Sequence, residues 1–331
     1  MRIFVTGGTG YIGSHTVIEL MTEGHDVIIL DNLSNSDAEV VNRIERITKQ
    51  KPRLVVGDIA DYALVKDILE KESIEAVIHF AAKKAVGESM QIPDVYYRNN
   101  VGGMATLCQA MRETGVRKFV FSSSAAVYGE PEMVPVTEDA SLHPISAYGA
   151  TKKVGEELLT WVAQSAGWSV AVLRYFNPVG AHASGFIGES PRDANNLVPI
   201  VVQAVAGVRD AVTVYGTDYP TPDGTGVRDY IHVVDLAKAH IAALTSTVER
   251  AGLHTYNIGT GQGHSVLEVI ASMEKMSGKK VPHVIGARRS GDVATLVAST
   301  TRATNELHWQ PTLTLDDMTA SAWTWWHNSH T

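Results

Sequence analysis

Ile3-Phe4-Val5-Thr6-Gly7-Gly8-Thr9-Gly10-Tyr11-Ile12-Gly13 carries an apolar strand pattern straight into a glycine-rich turn and then into a helical pattern. Gly7, Gly10 and Gly13 are spaced G-x-x-G-x-x-G. Glycine lets such a turn close tightly and lets backbone N–H groups approach a pyrophosphate with no Cβ between them. The helix N-terminus behind it offers unpaired N–H donors and a partial positive charge to phosphate. The motif alone also describes an ordinary strand–turn–helix, so its meaning depends on the strand ends that follow.

The second apolar run, Val27-Ile28-Ile29-Leu30, ends in Asp31, eighteen residues beyond Gly13. A carboxylate at that place can accept both hydroxyls of an adenosine ribose and repels a 2′-phosphate. No arginine follows it immediately, so NAD is the expected cofactor rather than NADP. The third run, Leu54-Val55-Val56-Gly57, ends in Asp58. That carboxylate can meet an adenine edge or cap the following helix.

Working outward, apolar runs of strand length stand at 2–5, 27–30, 54–57, 76–80, 118–122 and 170–175, and helical patterns at 11–23, 37–49, 61–71, 94–114 and 147–165. Strand–helix alternation predicts a Rossmann-type α/β fold, a doubly wound parallel sheet with helices on both faces. Ligands on such sheets bind at the carboxyl ends of the strands. From about 177 the chain changes character: loops rich in Gly, Pro, Asn and Asp alternate with short helical segments. We therefore expect a dinucleotide-binding domain over 1–176 and a smaller α/β substrate lobe, mainly over 177–331.

The 331 residues suit two domains or one large one. With 44% hydrophobic and 19% charged residues, the chain is expected to be an ordinary globular protein. A net charge of −8 argues against nucleic acid or an anionic membrane as a general partner. No run approaches the ~20 apolar residues of a membrane span. The chain opens directly into a core strand, so no leader segment is expected. The single cysteine, Cys108, lies on an apolar helix pattern and fits a reducing cytosol, giving a cytoplasmic expectation. No metal-site spacing appears among the histidines, cysteine and carboxylates, so no metal is expected.

Tyr148-Gly149-Ala150-Thr151-Lys152 opens a helix and sets Tyr148 and Lys152 at i and i+4 on one face. A free tyrosine has a pKa near ~10 and is a poor base at neutral pH. An adjacent ammonium favours the phenolate, and a positive nicotinamide ring would add to that effect. The pair is a candidate proton acceptor for a sugar or alcohol hydroxyl, although Tyr/Lys neighbours are also common on helix surfaces. Ser122-Ser123-Ser124 ends the fifth run, and Ser124 at the strand's mouth could donate to the same reacting oxygen.

Together the glycine turn, Asp31-Asn32, the serine run and Tyr148 with Lys152 resemble the extended short-chain dehydrogenase/reductase superfamily. Within it the chain is similar to the UDP-galactose 4-epimerase family. The most discriminating segments are Arg174-Tyr175-Phe176-Asn177-Pro178-Val179-Gly180-Ala181-His182 and Asp223-Gly224-Thr225-Gly226-Val227-Arg228-Asp229-Tyr230-Ile231-His232. The match also takes in His79-Phe80-Ala81-Ala82, Lys84 to Ser89, and Asn195-Asn196-Leu197, and runs from residue 1 to roughly 310.

The resemblance implies an isomerase that interconverts UDP-galactose and UDP-glucose through a 4-keto sugar, with tightly held NAD. It places NAD against Gly7, Gly10, Tyr11, Ile12, Gly13, Asp31, Asn32, Leu33, Asn35, Ser36, Asp58, Ile59, Phe80, Ala81, Ala82, Lys84, Asn99, Ser122, Tyr148, Lys152 and Phe176. It makes Ser124, Tyr148 and Lys152 the catalytic group. It assigns the UDP-sugar to Lys84, Ser124, Tyr148, Asn177, Asn196, Leu197, Thr213, Tyr215, Arg228, Arg289, Asp292 and Leu296. Tyr215 can stack on uracil, and Arg228 and Arg289 can clamp a diphosphate with planar forks, though Arg288 is an equal neighbour. A homodimer through helices at about 94–114 and 147–165 is also implied.

One departure concerns the sugar pocket. Four residues beyond the aspartate of Gly291-Asp292 the family carries a tyrosine or a small residue such as cysteine; here the place is held by Leu296. This leaves open an epimerase that also accepts UDP-N-acetylhexosamines. A nucleotide-sugar 4,6-dehydratase or a decarboxylase of the same fold would need acidic residues just after Ser124, where Ala125-Ala126 stand. A non-catalytic, NAD-sensing protein would be expected to have lost Tyr148 or Lys152.

Overall fold

The computed structural model describes residues 1–190, 194–247, 250–289 and 291–330. Its central sheet has seven strands, all parallel: β1 (Arg2–Thr6), β2 (Asp26–Asp31), β3 (Arg53–Val56), β4 (Ala76–His79), β5 (Lys118–Ser124), β6 (Ser169–Tyr175) and β10 (Gly252–Ile258). Their order is β10-β6-β5-β4-β1-β2-β3. The strands are apolar on both faces because both faces are covered. Ile3 and Val5 point to one side, with Val17, Ile18 and Leu20 of the helix Tyr11–Thr22 and Leu236, Ala239 and Leu244 of the helix Val233–Thr247. Phe4 points to the other, with Leu107 and Met111 of the helix Gly103–Thr114 and Leu159 of the helix Ala147–Ala166.

Strand order reverses between β1 and β4, which opens a crevice at their carboxyl ends. Gly7 sits at that point with φ +72°, and a Cβ there would lie 2.7 Å from the Ala81 nitrogen. A Cβ on Gly13 would run into the Gly7 carbonyl oxygen. Both positions require glycine for the turn to pack against β4.

The chain leaves the sheet at 176 but returns to it. The helix Val233–Thr247 crosses over and delivers β10 alongside β6, with Leu253 opposite Val170. The division at 176/177 thus falls where the chain first departs from the sheet, while part of the second half completes it. The rest of the second half forms the lobe. There β9 (Val227–His232) is flanked by β7 (Asn177–Val179), β11 (Gly263–Ser265) and β13 (Thr295–Leu296), and β8 (Val212–Tyr215) pairs with β12 (His283–Gly286). Helices Leu197–Val205, Val266–Ser277 and Leu315–His330 close its core, with Trp323 and Trp326 packed against it.

The helix read over 94–114 runs unbroken from Pro93 to Thr114, with a π-helical turn, Tyr97–Gly102, inside it. A separate short helix, Val86–Gln91, precedes it. Pro93 cannot continue the segment before it, since it lacks the N–H and its ring crowds the preceding turn. The π turn brings Asn100 inward, where its side chain accepts from Lys83 N at 2.8 Å and donates to Lys83 O and Thr151 Oγ1. This residue was missed in the sequence because a 3.6-residue period points it elsewhere.

Candidate active site

The carboxyl ends of β1, β2 and β4 form one end of the cleft. Asp31 is buried, and its carboxylate accepts from Thr9 N at 3.1 Å, Leu33 N at 2.9 Å and Ser36 Oγ at 3.1 Å. These bonds fix the carboxylate beside the glycine turn. Leu33 has φ +57°, which turns the chain so that its N–H reaches back to Asp31. Asn32 donates to Asp58 at 2.9 Å, and Asp58 accepts from Ala60 N. The following helix is capped by Asp61, which accepts from Leu64 N. Of the two readings of Asp58, its role as that cap is therefore taken by another residue. Asn35 is exposed at the rim, whereas Ile59 is buried in the core beside Phe4 and Leu107. The Phe80 ring turns inward to His240, 4.7 Å away, so what Phe80 and Ala81 offer the crevice is backbone.

Three successive serines at the end of β5 face different partners, because side chains alternate along a strand. Ser122 Oγ is 2.6 Å from Tyr175 Oη, and its carbonyl accepts from Lys152 Nζ at 2.7 Å. Ser123 donates to Glu156 at 2.5 Å. The Ser124 hydroxyl accepts from Ala126 N at 3.2 Å, and Ser124 is near enough to act on the Tyr148 phenol. The helix Ala147–Ala166 carries the other half of the group. Ser146 caps it by accepting from Gly149 N, and Tyr148 and Lys152 both lie buried on its inner face. The Lys152 ammonium is 5.9 Å from the Tyr148 ring centre and 5.0 Å from that of Phe121.

Burial raises the Tyr148 pKa, and the Ser124 hydrogen bond pulls it down. Burial lowers Lys152 to about 8, against the pull of the Glu156 carboxylate. Buried His79 falls to about 3 through burial and the nearby Lys152 charge, so it stays neutral and is held by Thr6. In the protein alone, burial thus outweighs the pull of Ser124 on the phenol. A further positive charge in the crevice is needed to bring the Tyr148 proton within reach of neutral pH.

A second set of side chains lines the lobe. Thr213 and Tyr215 alternate with buried Val212 and Val214 on β8 and face outward together. Arg289 lies over the Tyr215 ring at 3.7 Å, and hydrogen bonding to Arg289 lowers the Tyr215 pKa. Arg288 turns away, to Asp218 at 2.7 Å and the Tyr219 ring, which distinguishes the two neighbouring arginines. Arg228 stands 3.6 Å from Asp292. Leu296 is the register partner of Arg228 and packs against the cluster of Ala125, Tyr128, Val136 and Phe176. Asn177 is exposed at the start of β7, and Asn196 stands at the N-terminus of the Leu197–Val205 helix.

Behind the site lies a buried network that sequence reading left without a role. Arg174 donates to Glu156 at 3.0 and 2.6 Å, to Tyr128 Oη at 3.0 Å and to Glu138 O at 2.9 Å. Tyr128 donates to Asn257, whose backbone N–H donates to Glu138. The available signal was Glu156 at i+4 from Lys152, on the same helix face.

A glycine turn at the switch point, a ribose-acceptor carboxylate and a buried Ser/Tyr/Lys group define the class of a dinucleotide-dependent sugar-modifying fold. The chain belongs to the NAD dependent epimerase/dehydratase family, whose model matches residues 3–259. It is 51% identical to the UDP-glucose 4-epimerase of Bacillus subtilis over 98% of this chain and 96% of that one. It is 48% identical to the mouse UDP-glucose 4-epimerase over 98% and 96% of the two chains. Among solved structures it resembles the UDP-glucose 4-epimerase of Stenotrophomonas maltophila with bound NAD and formylated UDP-arabinopyranose, at TM-score 0.98, 48% identity and coverage of 99% and 98%. It also resembles the Bifidobacterium longum UDP-glucose 4-epimerase in complex with NAD+ and UDP, at TM-score 0.95, 45% identity and coverage of 99% and 98%.

Proposed function

We propose that this chain is an isomerase that interconverts UDP-galactose and UDP-glucose by inverting the sugar at C4 through a 4-keto sugar, with NAD as a tightly held cofactor. The observation that carries the reading is the burial of Tyr148 and Lys152 one helical turn apart on the inner face of their helix, with the Lys152 ammonium held by the Ser122 carbonyl at the carboxyl end of the sheet. Full-length relatives at about half identity are UDP-glucose 4-epimerases, and solved neighbours hold NAD with UDP or a UDP-sugar. The residues present fit NAD: Gly7 leaves room where a Cβ would meet Ala81, and Asp31 is held in place beside the turn by three donors.

NAD, when bound, supplies a reversible hydride acceptor and a positive ring. Tyr148 takes the proton of the sugar 4-hydroxyl at its phenol oxygen and later returns it. Ser124 donates to that oxygen and fixes its direction. Lys152, held by the Ser122 carbonyl, stabilises the phenolate. Arg228, Arg289, Tyr215, Asn177, Asn196, Leu197, Thr213 and Asp292 anchor UDP. Binding energy in the unreactive nucleotide leaves the hexose free to turn. Ala125-Ala126 provide no acid or base, which disfavours dehydration or decarboxylation.

Among the described residues no helix is long and apolar enough to cross a membrane. A cytoplasmic homodimer suits the chain: Trp161 is 70% exposed on the helix that carries Tyr148, and Met90 is 60% exposed on the segment beside it. The test is to incubate the purified protein with UDP-galactose and no added NAD and to measure UDP-glucose. We expect turnover, and release of NAD rather than NADP on denaturation. No product, or mainly NADP, would refute the reading.

A further inference from the structure

Several polar groups of the cleft are held by another side chain of the same molecule. Arg228 faces Asp292, and Arg289 lies over Tyr215. Those four are themselves proposed nucleotide contacts. Lys84 is different: its Nζ meets Glu189 Oε1 at 3.2 Å, and Glu189 has no part in the reading above. The same oxygen accepts from Asn196 Nδ2 at 3.3 Å. One carboxylate oxygen thus joins a donor on the loop after β4 to a donor at the helix N-terminus of the lobe. It spans the two halves of the cleft.

The two ends of the ion pair are not equivalent. The Glu189 side chain is 11% exposed and Lys84 is 50% exposed. The backbone of Glu189 is pinned as well, since its carbonyl accepts from the Trp325 indole N–H at 3.0 Å. The carboxylate is the fixed partner, and the lysine is the one free to leave.

We propose that Glu189 is an internal counter-anion: it pairs with Lys84 and Asn196 and sets nucleotide-sugar affinity by competing for them. The proposal rests on the UDP-sugar reading given above. An incoming diphosphate brings negative charge to donors already satisfied by a carboxylate. Part of each new hydrogen bond is therefore offset by the bond it replaces, and a fixed anion nearby repels the phosphates. A residue that merely propped the loop would have the opposite effect when changed, since its loss would loosen the site. The charge of Glu189 thus lowers affinity, and a weaker hold on UDP favours release of the product.

The test is calorimetric binding of UDP-glucose to the full chain carrying Tyr148→Phe, which keeps the sugar in one configuration, with and without Glu189→Gln. Glutamine keeps the acceptor toward Asn196 and removes the charge. We expect Glu189→Gln to tighten binding by about three- to tenfold, and to gain less when Lys84→Gln is also present. Unchanged or weaker binding would overturn the proposal. So would an equal gain with and without Lys84. Should the glutamine variant fold poorly, Glu189→Asp, which draws the carboxylate back from Lys84 by one methylene, must also bind more tightly than its parent. Equal or weaker binding there overturns the proposal too. A parent chain that binds no UDP-glucose would overturn the UDP-sugar reading and this proposal with it. A parent that binds normally beside an unimproved variant overturns this proposal alone.

Discussion

At the scale of single residues, the decisive fact is where a phenol is buried and what touches it. Tyr148 is almost fully enclosed, and burial drives its pKa up against the pull of Ser124. Such a group is a poor base until a positive charge arrives, so its activity is tied to a loaded crevice. Tyr148→Phe removes the proton acceptor and should lower kcat by about 10²–10⁴-fold. UDP-glucose binding measured by calorimetry should stay near the original, because the proposed nucleotide anchors lie in the lobe. Near-normal turnover would place the proton elsewhere. Lys152 acts on the same proton through charge. Its ammonium stabilises the phenolate and so lowers the Tyr148 pKa; removing it raises that pKa. The acid limb of the kcat–pH profile should therefore move to higher pH in Lys152→Met. An unmoved limb would show that Lys152 only binds.

At the scale of elements, the end of β5 and the helix Ala147–Ala166 act as one unit. The strand's alternation separates the three serines, sending Ser123 to Glu156 behind the site and leaving Ser124 for Tyr148. The 3.6-residue period then stacks Tyr148, Lys152 and Glu156 on one face. Glu156 and Arg174 are both 7% exposed and joined by two hydrogen-bonded arms, with Tyr128 and the Glu138 carbonyl completing the guanidinium. A buried pair contributes little net stability against an apolar replacement, but breaking it leaves a bare charge inside. Arg174→Met should cost about 3–5 kcal/mol in denaturant unfolding, and pairing it with Glu156→Gln should recover much of that loss. Additive losses would show that the two groups are not energetically coupled.

At the scale of the whole molecule, the site exists because the lobe folds back over the sheet. Asp229 ties this closure: buried on β9, it accepts from Thr260 and Gly261, just beyond β10, and from Ala298 beyond β13. Leu296 on β13 thereby comes against Ala125 and Phe176 from the first half of the chain. A leucine on that wall is branched and gives an acetamido group no hydrogen bond. Overpacking there should cost about 1–3 kcal/mol. We expect UDP-N-acetylgalactosamine to fall roughly 10–200-fold below UDP-galactose in kcat/KM, and Leu296→Cys to narrow the gap. Equal rates on both sugars in the original protein would show that Leu296 is not the wall.

The sequence by itself determined the sheet and its first six strands, because each carries an apolar run, buried on both faces everywhere but in the edge strand β3. It also determined the glycine turn, whose steric demand is local, and the shared face of Tyr148 and Lys152, which follows from helix geometry alone. What depends on residues far apart in the chain could not be read there. The return of β10 to the sheet edge hangs on pairing with β6, across the whole lobe. The inward turn of Asn100 hangs on a π turn and on Lys83 and Thr151. The different surroundings of Arg288, which meets Asp218 and Tyr219, and of Arg289, which lies over Tyr215, arise only in the folded chain. The Tyr148 pKa was read from its neighbours in sequence as lowered, but burial decides it in the folded chain. Local periodicity fixes which residues share a face; only the folded chain fixes how much water each one loses and which distant charge it meets.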